Sequence, residues 1–382
     1  MPNAHFLLRC CILLLLATAL RANAQAPPLY TATFLPDNFI AAGIGGGGQV
    51  VGRGVDADGN ARAFVWDAGT TTLLPTLGGP AAYATASAGG AVVGASAEGA
   101  FTRAFVYRDG AIADIGTPSG ADSIAYGINA AGQVVGEATD ADGNSRAFLY
   151  GGGVLADIGT LGGTDARARG INAAGAVVGG SQPGSDFPDD GAHAFLYRDG
   201  AMTDLGTLGG GFSWANAIND AGQVAGYSLV AGDAAWQPFL YSDGVMTGLG
   251  SFGGDFAAAY AINGAGAVVG TSALAEGGFA HAFLYADGVL SDLNGLVDGG
   301  LGIFTLTEAV GIDDAGRIVA NGCTVFGFCA PVLLSPVPEP APPAMLLAGM
   351  FVLLLARLPR RRRCPYAPCL QAPWPEEGRR GT

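Results

Sequence analysis

Hydrophobic residues between positions 29 and 334 fall in short runs separated by glycine-rich turns, and this arrangement repeats seven times. A Gly-x-Val-Val-Gly element recurs at steps of 42, 42, 43, 47, 44 and 50 residues, and its last copy is degenerate. The copies begin at Gly48, Gly90, Gly132, Gly175, Gly222, Gly266 and Gly316. A period of this length indicates an array of similar structural units.

Each repeat carries the signals of four short strands. The Gly-x-Val-Val-Gly strand is followed by an Ala-Phe-Leu-Tyr strand, an Asp-Gly pair and a further strand such as residues 202–208. Asn-x-x-Gly, as in Asn172 to Gly175, predicts a type I turn before the Val-Val strand, with glycine in the left-handed conformation. Asp-Gly predicts a two-residue hairpin turn. Each unit is therefore expected to be a four-stranded antiparallel meander, and its apolar strands indicate a sheet covered on both faces.

The start of the array is out of phase with the repeat. Residues Leu29 to Leu35 read as a fourth strand although they precede the first unit, and the last unit ends on its third strand near residue 334. An N-terminal strand that completes the last unit would join the two ends of the array and remove both sheet edges. The sequence thus predicts an all-β fold, a closed β-propeller of seven four-stranded blades over residues 25–336, with an open β-solenoid as the alternative.

Two segments outside the repeats are typical of export and membrane signals. Residues 1–24 combine Arg9, an apolar run and a small-residue exit, the layout of a secretory signal peptide. Residues 337–363 combine the motif Val337, Pro338, Glu339 and Pro340 with an apolar stretch (344–356) and an arginine cluster. This order predicts a transmembrane helix with its arginines on the cytoplasmic side. We expect residues 364–382 to form a disordered tail.

Charge narrows the choice of partners. Residues 25–336 hold nine arginines, no lysine and 29 acidic residues, which gives a net charge of −20. Such a surface repels polyanions, so nucleic acid is not expected to be a partner. Within the same range there are two cysteines, Cys323 and Cys329. In an oxidising compartment they are expected to form a disulfide between neighbouring strands of one hairpin.

The repeats resemble the HAF repeats of bacterial extracellular proteins, named for His-Ala-Phe, which stands here at 193–195 and 281–283. The resemblance extends over residues 29–334 through the Asp-Leu-Gly-Thr-Leu-Gly-Gly, Ile-Asn-x-x-Gly-Gln-Val-Val-Gly and Ala-Phe-Leu-Tyr elements. Residues 337–363 resemble the PEP-CTERM sorting signal of Gram-negative bacteria, although a 19-residue tail follows the arginines. That resemblance implies processing by an exosortase, transient anchoring in the inner membrane, and a final location at the cell surface or in the extracellular matrix.

Two acidic loops resemble the start of calcium-binding loops, in which closely spaced carboxylates surround a hard cation. They contain Asp56, Asp58 and Asn60, and Asp140, Asp142 and Asn144. Both loops lack the distant bidentate Glu, and Asp-Gly by itself makes a good hairpin turn. Calcium and simple turn formation therefore both stay open, and no other cofactor is expected.

Length variation among the repeats points to a ligand-binding face. It is concentrated in the connections between second and third strands at 180–192, 227–237 and 271–280, which strand direction places at one end of the units. Phe187, Trp236 and Phe279 lie in these connections, and Trp214 follows a neighbouring Gly-Gly-Gly. Exposed aromatic rings suit sugar or protein recognition. For Trp214, packing between units is the alternative.

The residues of a catalytic site are not evident. Between positions 25 and 336 there are two histidines, His193 and His281, and no Gly-x-Ser-x-Gly element. The predicted function is therefore that of a noncatalytic surface or matrix protein that binds extracellular polysaccharide or a surface protein. A structural spacer without a ligand, or a glycosidase with two carboxylates from different units, are the alternatives.

Overall fold

The computed structural model describes residues 29–117, 121–184, 191–277 and 279–338. These residues form 28 β-strands and three single turns of 3-10 helix, so the predicted all-β class is confirmed. The strands make seven four-stranded antiparallel units, as the repeat predicts. Units 5 and 6 are joined in addition by one parallel residue pair, Trp236 and Phe256.

The four strand positions are the same in every unit. The first strands of units 1 to 7 are β2 (Ile40–Ile44), β6 (Ala82–Ala88), β10 (Ser123–Ile128), β14 (Gly162–Ile171), β18 (Gly209–Ile218), β22 (Gly253–Ile262) and β26 (Phe304–Ile312). The second strands are β3 (Val50–Val55), β7 (Ala91–Glu98), β11 (Val134–Thr139), β15 (Val177–Pro183), β19 (Val224–Val230), β23 (Val268–Leu274) and β27 (Ile318–Thr324). The third strands are β4 (Ala61–Asp67), β8 (Phe101–Arg108), β12 (Ser145–Gly151), β16 (His193–Arg198), β20 (Trp236–Ser242), β24 (His281–Ala286) and β28 (Cys329–Pro336). The fourth strands are β5 (Thr70–Leu73), β9 (Ala111–Asp114), β13 (Val154–Asp157), β17 (Ala201–Asp204), β21 (Val245–Gly248), β25 (Val289–Asp292) and, in unit 7, β1 (Tyr30–Phe34).

The turns follow the predicted chemistry. Gly175 has φ +80° and donates its N–H to the Asn172 carbonyl at 3.0 Å, as expected of the Asn-x-x-Gly turn. At the third-to-fourth turns both residues of Asp-Gly have positive φ, 55° at Asp199 and 82° at Gly200. Two consecutive positive φ values are typical of the type I′ hairpin turn.

Every first strand contains a β-bulge, which periodicity within the strand does not show. The pairing of β14 with β15 skips Arg169, between the pairs Ala168–Gly179 and Gly170–Val178. The glycine that ends the Val-Val-Gly element allows the backbone of the first strand to approach the second strand closely. A Cβ added at Gly179 would lie 1.9 Å from the Arg167 carbonyl oxygen, so a side chain cannot be accommodated there. The skipped residue has no partner on the second strand, and the bulge changes the direction of its side chain.

Seven apolar clusters lie between successive units, and each contains residues of two neighbours. In six of them the largest fully buried side chain is the phenylalanine of Ala-Phe-Leu-Tyr: Phe64, Phe105, Phe148, Phe195, Phe239 and Phe283. Removal of this apolar surface from water supplies the main favourable free energy of the array. One cluster joins unit 7 to unit 1, because Val319 and Leu333 pack with Val50 and Phe64.

Buried asparagines link the first-to-second turns of units 3 to 7. The Nδ2 group of Asn172 donates to the Asn219 carbonyl at 3.2 Å, and Asn219 donates in turn to Asn263 at 3.0 Å. Asn129 and Asn263 make the equivalent bonds to their next neighbours. These turns therefore lie together at one end of the units, here called the turn end. The second-to-third connections lie at the opposite end, the loop end.

The N-terminal strand completes the last unit. All five residues of β1 pair antiparallel with β28, from Tyr30 opposite Pro336 to Phe34 opposite Val332. Tyr30 is buried, 2% exposed, and its backbone also bonds to Leu296 and Asp298 in the connection that precedes unit 7. The prediction that residues 29–35 supply the missing fourth strand is confirmed.

The longer second-to-third connections of units 4 to 6 are only partly loops, which corrects the sequence-based interpretation. Residues 180–183, 227–230 and 271–274 belong to second strands, and Trp236 is the first residue of β20. The reason is that first strands in these units start earlier, at a glycine pair. Gly209 pairs with Val230 and Gly253 with Leu274, so much of the extra length extends a hairpin.

Candidate functional site

The structure brings two of the four predicted ligand-face aromatics together. Trp214 in β18 and Trp236 in β20 belong to one cluster at the loop end of unit 5, with Phe212 and Tyr227. Phe279 is 49% exposed just before β24, in unit 6. Phe187 lies outside the described residues.

Phe212 is the centre of this aromatic cluster, and sequence reasoning missed it. Its ring is nearly parallel to that of Trp214, with centroids 6.0 Å apart, and meets Trp236 edge-on at 5.0 Å. Tyr227 is 5.5 Å from Trp236. The signal was available in Gly-Gly-Gly-Phe-Ser-Trp, since the early start of β18 places Phe212 on the strand and two residues from Trp214.

A cleft of about 410 Å³ lies beside this cluster, between units 4 and 5. Phe212 and Trp214 line it together with the polar residues Asp165, Arg167 and Gln182. Trp214 packs across the unit boundary against Gly180, where a Cβ would come within 2.3 Å of Cε3. The two interpretations of Trp214 therefore hold together, because it packs between units and also lines the cleft. Aromatic faces beside carboxylate, guanidinium and amide groups are the components of a sugar site.

The acidic loops use their carboxylates to build turns. Asp56 accepts the N–H groups of Asp58 and Asn60 on Oδ1 at 3.0 and 2.9 Å, and its Oδ2 pairs with Arg62. These backbone bonds and the nearby Arg62 lower the pKa of Asp56 and outweigh its partial desolvation. Asp140 makes the same bonds to Asp142 and Asn144. Turn formation thus explains these residues, and calcium binding stays a prediction.

The two histidines occupy equivalent positions and pair with equivalent acids. Nδ1 of His193 lies 2.8 Å from Asp204, and Nδ1 of His281 lies 2.7 Å from Asp292. Burial acts to raise the pKa of Asp204, but the hydrogen bonds from His193 and Gly206 outweigh it and hold the pKa below its ordinary value. In the described part of the chain no group of three His, Cys, Asp or Glu is arranged to hold a metal ion.

Cys323 and Cys329 form a disulfide across β27 and β28, where they are paired residues. The four-residue connection that it closes, at the loop end of unit 7, presents three exposed apolar side chains. Val325, Phe326 and Phe328 are 69%, 81% and 64% exposed. Residues so apolar and so exposed are typical of contact surfaces.

The proposed terminal signals are largely outside the described residues. The signal peptide (1–24), Glu339, Pro340 and the apolar stretch 344–356 lie there, whereas Val337 and Pro338 are described. Val337 donates its N–H to the Leu29 carbonyl at 2.8 Å. None of the helices in the described segments is long and apolar enough to cross a membrane.

A second candidate site is a cavity of about 360 Å³ lined by the bulges of all seven first strands, here called the first-strand cavity. Its lining residues are Ala42, Thr85, Tyr126, Arg169, Asn216, Tyr260, Glu308 and Val310. Except for Glu308, each is the residue that the first-to-second strand pairing skips. Sequence reasoning missed this site, although one signal existed. These residues vary freely although the next two positions are nearly constant, as in Gly-Ile and Ala-Ile.

The acidic and tyrosine side chains at the first-strand cavity differ in how far their polar groups are already bonded. Glu137, beside it, has its carboxylate fully engaged: Oε1 accepts from the Tyr126 hydroxyl at 2.6 Å, and Oε2 from Ser145 and from Arg167. Glu308 accepts from the Asn321 amide at 3.0 Å. Tyr260 has its pKa raised to about 12, chiefly by burial and then by the charge of Glu308, so its hydroxyl stays protonated and can donate.

No protein-family model and no curated protein matches the chain. Among solved structures, the β-propeller domain of the Trilobed protease from Pyrococcus furiosus, which has an open velcro topology, is similar. It has a TM-score of 0.52 at 9% identity, over 80% of this chain and 95% of that one. The chain has a β-propeller fold.

Two further solved structures match with lower TM-scores. TolB from Acinetobacter baumannii gives a TM-score of 0.43 at 13% identity, over 76% of this chain and 64% of that one. A puromycin-hydrolyzing peptidase from Mycobacterium tuberculosis gives 0.48 at 13% identity, over 82% of this chain and 53% of that one. The chain thus spans less than two thirds of either protein.

Proposed function

We propose that this chain is a noncatalytic, exported surface or matrix protein that binds extracellular glycan at the loop end of a closed seven-bladed β-propeller. The observation that carries the proposal is the cleft between units 4 and 5, where Phe212 and Trp214 stand beside Asp165, Arg167 and Gln182. A flat apolar wall stacks on a sugar ring, and neighbouring polar groups bond to its hydroxyls.

Closure of the ring is supported by strand pairing and by side-chain packing. Strand β1 pairs with β28, and the apolar cluster of Val50, Phe64, Val319 and Leu333 joins the last unit to the first. The first-strand cavity, to which all seven units contribute, also favours a ring over an open solenoid. A rigid ring gives its loop-end residues fixed positions, which favours binding by limiting the entropy lost with the ligand.

A ligand-binding role is favoured over a simple spacer by the unequal units. First strands of nine or ten residues occur in units 4 to 7, against five to seven residues in units 1 to 3, and the aromatic cluster lies in unit 5. A spacer built of repeats has no need of such differences. The carboxylates of Asp56, Asp140 and Glu137 are engaged in turns and ion pairs, which argues for binding rather than acid-base catalysis.

Export and sorting are part of the same proposal. The segments 1–24 and 337–363 have the sequence of a signal peptide and of a PEP-CTERM signal, so an exosortase is the proposed processing partner. The repeats themselves resemble HAF repeats. Both interpretations rest on sequence, and they fit a chain whose body carries a disulfide.

A glycan array with the exported protein, with and without calcium, tests this function. We expect retention of particular glycans that the Phe212→Ala variant loses, because it removes the central ring of the cluster. The matched control is Phe101→Ala, which removes an exposed phenylalanine at the loop end of unit 2. Cleavage of a bound glycan, or equal binding by Phe212→Ala, would contradict the proposal.

A further inference from the structure

Arg169 differs from the other arginines of this protein in its surroundings. Among the nine arginines of residues 25–336, four make no ion pair within the described segments: Arg53, Arg108, Arg169 and Arg198. Three of them are exposed to water, whereas Arg169 is half-buried. A guanidinium stays protonated at all ordinary pH values, so Arg169 keeps its full charge inside the first-strand cavity.

The contacts of Arg169 satisfy its charge only in part. Its Cζ lies 4.1 Å from the centre of the Tyr126 ring and 5.8 Å from that of Trp214. These aromatic faces attract the cation but do not accept hydrogen bonds from the N–H donors in its plane, and no described residue does so either. Nε in particular is buried and has no hydrogen-bond partner in the described structure. A buried donor without an acceptor costs free energy, which a bound anion would recover.

The two acids described at or beside the cavity already have other partners. Glu137 lies beside Tyr126, yet its two oxygens are taken by Tyr126, Ser145 and Arg167. Glu308 shares the cavity but is held by Asn321 of unit 7. The guanidinium is thus left free for a ligand, although the protein as a whole is rich in acid.

We propose that the first-strand cavity binds a sugar acid, a ring with hydroxyl groups and a single carboxylate, through Arg169. The carboxylate accepts from the guanidinium, which is shaped for two parallel bonds to such a group. Ring hydroxyls accept from Tyr260 and donate to the second oxygen of Glu308, and the Tyr126 and Tyr260 rings offer apolar faces. The volume, about 360 Å³, suits a small ligand.

The charges of the protein favour a ligand with a single negative charge. The net charge of −20 over residues 25–336 repels polyanions, while Arg169 is the only cation among the residues that line this cavity. This site shares no lining residue with the aromatic cleft, although Trp214 of that cleft lies 5.8 Å from Arg169, and it does not depend on the function proposed for the cleft. A free uronate and the terminal uronate of an oligosaccharide present the same chemistry, and the experiment separates them.

Calorimetric titration of the exported protein with glucuronate, glucose and a uronate-terminated disaccharide tests the site. The expected result is binding of glucuronate, none or much weaker binding of glucose, and a loss of about ten- to hundredfold in Arg169→Gln, the usual range for a charge-assisted hydrogen bond. Tyr260→Phe should weaken binding less. Arg198→Gln is the matched control, since it removes an exposed, unpaired arginine and should leave affinity within about twofold.

The two arms also identify the source of the carboxylate. Tighter binding of the disaccharide indicates the end of a chain, and binding of the monosaccharide alone indicates a free sugar acid; both support the site. Equal affinity for glucose and glucuronate would overturn it. So would a failure to bind both glucuronate and the disaccharide, or an unchanged affinity in Arg169→Gln. Loss of uronate binding in Phe212→Ala but not in Arg169→Gln would place the ligand in the aromatic cleft and equally overturn it.

Discussion

The side chain of Asn321 in β27 bonds to both backbone groups of Ala41 in β2. Its Oδ1 accepts the Ala41 N–H at 3.0 Å, and its Nδ2 donates to the Ala41 carbonyl at 2.9 Å. The side-chain amide of unit 7 thus makes the pair of hydrogen bonds to unit 1 that the backbone of a neighbouring strand would otherwise make. These are the units farthest apart in sequence, so the two bonds join the last unit to the first.

Asn321→Ala should therefore lower the free energy of unfolding. The change leaves two backbone groups of β2 without partners, which typically costs about 1–3 kcal/mol per buried group. Urea denaturation measures the difference. Asn38→Ala, at an exposed asparagine with one long bond to Val55, is the control and should change stability by less than about 0.5 kcal/mol. Equal stability of the two variants would contradict a tight junction.

The sequence was a good guide to the units because their signals are local. Gly175 and the Asp199-Gly200 pair predict turns whose positive φ values the structure confirms. It was a poor guide wherever two strands decide the outcome together. The bulge at Arg169 depends on the register of β14 against β15, and Trp236 became a strand residue because β19 extends to Val230.

The candidate sites divide in the same way. Trp214 and Trp236 stand out as rare aromatic residues in variable connections, so sequence could name them. Phe212 and Arg169 are ordinary residues within a strand, and their importance comes from residues on other strands: Trp236 of the same unit for Phe212, and Tyr126 of the preceding unit for Arg169. Comparison of the repeats with one another could have singled out Arg169, since a variable residue stands there before a nearly constant pair.

Stability should depend on pH through Asp204. Its folded pKa is held below the ordinary value of 3.8, so its ionised form stabilises the fold above that pH, and the contribution is lost as pH falls through the lowered pKa. Asp204→Asn should therefore reduce the melting temperature at pH 7 and have a smaller effect near pH 2. An identical decrease at the two pH values would show that charge is not involved.

Arg169→Gln should change the free energy of unfolding of the unliganded protein by less than about 1 kcal/mol, because removal of the buried, unbonded Nε offsets the lost cation–π contact with Tyr126. Its guanidinium has no hydrogen bond or ion pair in the described segments that the change would break. Arg317→Gln is the contrast, because Arg317 pairs with Asp313 at 2.7 Å and donates to Gly47. A marked loss of stability in Arg169→Gln would indicate a structural role instead.

Processing should depend on the Pro-Glu-Pro motif. A Pro338→Ala, Glu339→Ala double variant should accumulate as a larger, membrane-retained precursor in a host with an exosortase, as measured by immunoblotting of membrane and released fractions. The matched control carries the same changes in the tail, Pro375→Ala and Glu376→Ala, and should be processed normally. Normal size and release of the first variant would refute the sorting signal.

The most direct measurement of the proposed binding function is a crystal structure of the protein with the glycan that the array retains best. We expect a sugar ring stacked on Phe212 or Trp214, in the cleft between units 4 and 5, with its hydroxyls bonded to Asp165, Arg167 or Gln182. The bound glycan should be intact. A glycan at the turn end, or a cleaved glycan in the cleft, would contradict the proposed binding function.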